Sequence, residues 1–153
     1  LKEKYQKIWN QFKGFFFMGL LPAQLAVSIS LGALIGTFPL IGVTSVLCFI
    51  IAWVFRLNIV IIQAVNWLVS PLQILLIVPF YQMGKYVFGS TQHFSKKEIT
   101  TLLTSFDFAL HLNNFLNLQV TAIYGWLMAG LPFAVIIYVT VYYVSKYGLP
   151  LKK

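Results

Sequence analysis

Three stretches of the chain, residues 14–55, 57–84 and 112–145, contain no Asp, Glu, Lys, Arg or His. One crossing of a hydrocarbon layer roughly 30 Å thick takes about 20 helical residues, so each stretch is long enough to enter or cross a bilayer. With 59% hydrophobic and 9% charged residues and a mean hydropathy of +0.84, there are too few polar side chains to clothe a soluble surface. The expected class is an all-α membrane protein forming one membrane domain over residues 1–153.

The first uncharged stretch is interrupted by "GALIGTFPLIG", Gly32 to Gly42. Its glycines and proline divide the stretch into two helix candidates, Pro22–Gly36 and Val43–Leu57, each about 22 Å long at 1.5 Å per residue. Neither comfortably spans alone, although a kinked extension of the first through Phe15–Leu21 would lengthen it enough to cross. The second stretch is interrupted at Ser70-Pro71, where proline removes a hydrogen bond and crowds the carbonyl four residues back, and Pro79 comes after it. Two arrangements result: ordinary crossings, or two hairpins, 22–56 and 59–84, that dip into the bilayer and return.

Charge does not choose between them, because both place eight basic residues on the N-terminal side and three on the other. The positive-inside rule makes the N-terminus cytoplasmic in either case. The tips favour re-entry: "GTFPLIG" presents Phe38, Leu40 and Ile41, and "NWLVSPLQ" presents Trp67, Leu68, Val69 and Leu72, whereas a loop in water gains polar residues. Irregular backbone at membrane depth must then be covered by protein or a water-filled cavity. Hairpins entering from one face argue against an inverted-repeat transporter.

Two amphipathic surface helices flank this broken-helix core of residues 14–89. In residues 1–13, Tyr5, Ile8, Trp9 and Phe12 share one face among Lys2, Lys4, Lys7 and Lys13, the pattern of a helix lying on an anionic membrane. In residues 90–117, Ser95 and Glu98 have capping-box spacing before a helix over 96–112, with Ile99, Leu102, Leu103, Phe106 and Leu110 on one face. Residues 118–145 give one clear C-terminal transmembrane span, and 146–153 a basic tail. The chain opens at Leu1 without a methionine, which suggests a trimmed start, and the N-terminal segment lacks a signal-peptide cleavage site.

The formal charge of +8 points to anionic lipid headgroups as partners and away from nucleic acid, because the aromatics lie within apolar runs. On a continuous helix Arg56, Gln63, Asn66, Ser70 and Gln73 fall within about 100° of arc. Such a stripe must face protein or water. It is read either as a pocket lining or as amides stitching helices together. The candidate headgroup ligands are Arg56 and Lys85, each ending an apolar run, where snorkelling to the interface is the plainer explanation. The candidate lining is Gly36, Thr37, Pro39, Gly42, Thr44, Asn58, Gln63, Asn66, Ser70, Pro71 and Gln73. Gly32 and Gly36, four apart, are equally the signature of close helix packing.

No acidic residue lies between residues 14 and 97, which disfavours carboxylate-based proton coupling. Asp107 and His111 are spaced to pair, yet two ligands do not make a metal site. Cys48 stands alone, so no internal disulfide forms. No catalytic triad, phosphate-binding glycine loop or Cys/His cluster is present, and neither an enzyme nor a cofactor is expected.

Residues 23–89 resemble a bacterial membrane family known only as domain of unknown function two thousand and sixty-two. The segments that carry the resemblance are "AVSISLGALIGTFPLIGVTS", "AWVFRLN" and "SPLQILLIVPFYQMGKYVFG". The tail "GWLMAGLPFAVIIYVTVYYVSKY" is compatible, while Ser70-Pro71 stands where members often show Asn-Pro. The resemblance implies an integral inner-membrane protein, whose relatives sometimes occur with glycosyltransferases of envelope synthesis. The functional expectation is a small multi-pass protein that binds, and by extension translocates, an anionic lipid or polyprenyl-phosphate carrier. The alternative is a non-transporting scaffold that docks a glycosyltransferase or other envelope enzyme, and a small-ion channel ranks third for want of a charged ring. A homo-oligomer is compatible with either.

Overall fold

The computed structural model describes residues 20–40, 42–88 and 108–148, together with Ser95, Lys97 and Thr101. These residues are helical apart from short connections, and no strand occurs among them. The four helices are α1 (Pro22–Gly36), α2 (Thr44–Val54), α3 (Ile59–Phe88) and α4 (Phe108–Gly148). The helix expected over residues 1–13, the Ser95/Glu98 capping box and the basic tail beyond Gly148 lie outside the described residues. Asp107 does too, and of His111 only the backbone is described.

Helix α1 starts where proline is pre-organised for a first turn, and the Gln24 side chain accepts the Leu21 amide at 3.4 Å. It ends at Gly36, as the sequence predicts. Helix α2 stops at Val54, three residues before the expected end, because the chain turns through a Schellman motif. The Leu57 amide reaches back to the Ala52 carbonyl at 2.9 Å and the Arg56 amide to the Trp53 carbonyl at 3.4 Å. The residue in the left-handed position of that motif, usually glycine, is Arg56 at φ 52.

Helix α3 corrects the sequence reading. The interruption expected at Ser70-Pro71 is absent, and the helix runs through Pro71 and Pro79 for 30 residues, so no second hairpin exists over 59–84. Proline costs one hydrogen bond, whereas turning at membrane depth would strand many more backbone groups, so continuity wins. Pro71 itself is exposed on the outer side of the helix. Helix α4 is also longer than expected: its 41 residues begin at Phe108, inside the segment assigned to a surface helix and linker, and Pro132 does not break it. Both α3 and α4 are long and apolar enough to cross a membrane, over Ile59–Val87 and Leu116–Tyr147.

Small residues set the packing. A Cβ on Gly32 would lie 2.7 Å from the Ile62 carbonyl, and one on Gly36 3.0 Å from that of Asn66, so α1 runs parallel to α3 in near backbone contact. Gly84 and Gly125 form a tighter crossing, where a Cβ on either would collide with backbone of the facing helix, at Thr121 and Phe80 respectively. That register makes α3 and α4 antiparallel. Ile77, Phe80, Tyr81, Leu118 and Ala122 fill the core beside this crossing. A second cluster, Ile35, Cys48, Ala52 and Ile62, joins α1 and α2 to the first half of α3. Helix α1 therefore lies between α3 and α4, while α2 covers α1 and α3 from outside.

Candidate functional site at the hairpin tip

Helices α1 and α2 are about 22 and 16 Å long, too short to cross a bilayer, and form a hairpin against the 45 Å rod of α3. Its tip is formed by residues 37–40 with Gly42 and Val43, and Gly42 has φ 88, a left-handed conformation suited to glycine. The carbonyl of Phe38, freed by the break in α1, accepts the Gln73 side-chain amide at 2.6 Å. Gln73 is 5% exposed and sits at the middle of α3. The tip is therefore fastened halfway along the neighbouring helix.

Helix α4 holds the tip from the other side. The Trp126 indole N–H donates to the Leu34 carbonyl at 3.1 Å and to the Thr37 hydroxyl at 3.3 Å. The Thr37 hydroxyl in turn donates to the Leu34 carbonyl at 2.9 Å. The Phe38 ring meets the Trp126 ring edge to face, with centroids 4.9 Å apart. Gly130, one turn beyond Trp126, leaves room for Leu34. Trp126 is the residue of this corner that the sequence reading misses. Its signal is position: tryptophan favours the membrane interface, and one in mid-span needs an acceptor for its N–H.

The polar stripe of α3 faces this corner. Asn66 is fully buried and donates to the Ser45 hydroxyl of α2 at 3.4 Å. Ser70, half-buried, donates to the Asn66 carbonyl at 2.8 Å. Gln63 is half-buried, and its Oε1, like Asn66 Oδ1, lacks a partner. Thr37, Pro39 and Thr44 are buried at the tip, and Gly36 lies against Asn66. Gln73 and the Asn66–Ser45 pair thus stitch α3 to the hairpin, as Trp126 does from α4, while the Gln63 and Asn66 amide oxygens stay unpaired.

Five expected site residues do not line the corner. Asn58 is no part of the corner; its side chain caps α3, accepting the amides of Val60 and Ile61 at 3.0 and 3.3 Å. Pro71 and Gly42 are exposed, so neither lines an enclosed space. Arg56, exposed in its turn, and Lys85, half-buried in the last turn of α3, lie at opposite ends of that helix, about 40 Å apart at its rise per residue. They cannot share one headgroup; the unbroken α3 separates them.

Among the described residues no group of three or more His, Cys, Asp or Glu side chains is placed to hold a metal ion. Aromatic residues gather at the Arg56 end. Trp53 and Phe55 are exposed, and on α4 the Tyr138/Tyr142 and Tyr143/Tyr147 rings stack in pairs. The Lys146 ammonium lies 5.5 and 5.4 Å from the ring centres of Tyr142 and Tyr147. At the other end of α3, Tyr86 is 92% exposed beside Lys85. Lysine and arginine among aromatic rings at both ends of apolar helices is the composition of membrane–water interfaces.

No curated protein and no solved structure matches the chain. One family profile does, that of an uncharacterized protein conserved in bacteria, and it covers residues 8–149, hairpin and both long helices included. The chain therefore belongs to the DUF2062 family.

Proposed function

We propose that this protein is a multi-pass protein of the bacterial inner membrane in which α3 and α4 cross and the α1–α2 hairpin re-enters to mid-bilayer, and that it binds the phosphate headgroup of an anionic lipid at Arg56. The length and apolarity of α3 and α4 support the crossings, and the fastening of the tip at Gln73 supports re-entry. With α3 and α4 antiparallel, Arg56 and Lys146 fall at one end and Lys85 at the other. Adding the lysines that precede α1 and follow α4 in sequence to the first end, and Lys96 and Lys97, between α3 and α4 in sequence, to the second gives eight against three, which favours the Arg56 end as cytoplasmic.

The observation that carries the headgroup reading is the backbone of Arg56. A non-glycine residue in the left-handed region costs on the order of 1–2 kcal/mol, and nothing in the turn itself requires a cation there. A guanidinium exposed at the foot of a hairpin, among Trp53 and Phe55, sits at headgroup depth and can fork onto phosphate. A phospholipid and a polyprenyl phosphate share that chemistry, and movement of the bound lipid would be a further step. Native mass spectrometry from the membrane tests it: a retained phospholipid or polyprenyl phosphate is expected, reduced by Arg56→Gln. Unchanged retention in the variant removes Arg56 from the role.

The second reading, a scaffold that docks an envelope enzyme such as a glycosyltransferase, is favoured by how tightly the core polar groups stitch the tip in place. A partner that co-purifies equally with wild type and Arg56→Gln supports it.

A further inference from the structure

Two amide oxygens on α3, Gln63 Oε1 and Asn66 Oδ1, are buried without a hydrogen-bond partner. They come from residues one helical turn apart on the same side of the helix. Asn66 is 0% exposed, and its Oδ1 is 3.3 Å from where a Cβ on Gly36 would stand. Gly36 is the last residue of α1, so the negative end of that helix dipole points into the same corner.

The donors whose hydrogen bonds are placed serve other acceptors. Asn66 Nδ2 serves Ser45, Ser70 serves the Asn66 carbonyl, Gln73 serves Phe38, and Trp126 serves Leu34 and Thr37. The corner thus holds two acceptors with no donor placed against them, in surroundings where an unpaired acceptor is costly. A cation is the ligand that answers an acceptor surplus. Divalent ions draw on carboxylates, and the sequence has no acidic residue from 14 to 97. Neutral oxygens beside the carbonyl end of an interrupted helix suit a dehydrated monovalent ion instead.

We propose that Gln63 Oε1, Asn66 Oδ1 and the carbonyl end of α1 at Gly36 form a binding site for an alkali-metal cation, sodium or potassium. The site is independent of lipid binding at Arg56 and stands or falls separately.

The test is thermal unfolding of the full chain in detergent, titrated with sodium, potassium or choline chloride at constant ionic strength. The expected result is a saturable rise in the unfolding midpoint with sodium or potassium and none with choline, whose methylated ammonium offers amide oxygens no bare charge to coordinate. Gln63→Leu removes one ligand and should raise the half-saturating concentration about tenfold, whereas Asn66→Asp, nearly isosteric, adds a charge and should lower it about tenfold. Equal midpoints in sodium, potassium and choline, the behaviour of a site filled by water, overturn the proposal. So does a half-saturation that Asn66→Asp leaves unchanged, which decides the matter even where Gln63→Leu does not fold.

Discussion

Arg56 combines two features that a stability-optimised sequence would avoid, a left-handed backbone and a long charged side chain exposed outside the core. Replacing it with glycine should relieve the strain and raise stability by about 1 kcal/mol, read as a higher thermal midpoint in detergent, while lipid retention falls. A variant that loses stability would place the worth of Arg56 in the fold. The residue is visible in the sequence as the end of an apolar run, but its conformation is not, because the Schellman turn at Ala52–Leu57 lacks the glycine that normally announces one. Asn58 misleads for a related reason. An Asx residue before an apolar run is equally the mark of an N-cap, and two amide bonds settle it in favour of the cap.

Among elements, the α1–α2 break is legible in the sequence and the continuity of α3 is not. Gly36, Pro39 and Gly42 agree in ending a helix, whereas Pro71 and Pro79 argue only one bond each against a surrounding helix that has no solvent to break into. The α3–α4 crossing is hidden because Gly84 and Gly125 lie far apart in sequence and have meaning only once facing each other. Their substitution should separate two kinds of glycine. Gly84→Ala drives a methyl into the Thr121 backbone and should cost about 3 kcal/mol, at the upper end of overpacking penalties. Gly42→Ala meets no atom within 4 Å and should cost only about 1 kcal/mol, from its left-handed φ. Denaturation midpoints of the two variants side by side provide the comparison; equal losses would contradict the packing account.

For the molecule as a whole, the arrangement predicts a labelling pattern. In a Cys48→Ala background, cysteine at Phe55 should react with a membrane-impermeant reagent from one face of sealed vesicles and cysteine at Tyr86 from the other, since α3 spans the distance between them. Cysteine at Leu40 should react from neither face. Adding Gln73→Leu removes the amide that holds Phe38, and Leu40 should then gain reactivity. Strong labelling of Leu40 with Gln73 intact would make the tip an ordinary loop and end the re-entrant account. That two long apolar helices exist is evident from composition; where the hairpin tip lies along α3 depends on a bond between residues 35 positions apart.

A hairpin that re-enters to half depth, as proposed, would have a consequence for the lipid around it. In the re-entrant arrangement proposed above, four of the described helices would occupy the half of the bilayer on the Arg56 side and two the other, so the protein would displace about twice as much lipid area from one leaflet as from its opposite. A body of that cross-section is a wedge, and a wedge is accommodated with least distortion where the membrane already bends away from its narrow side.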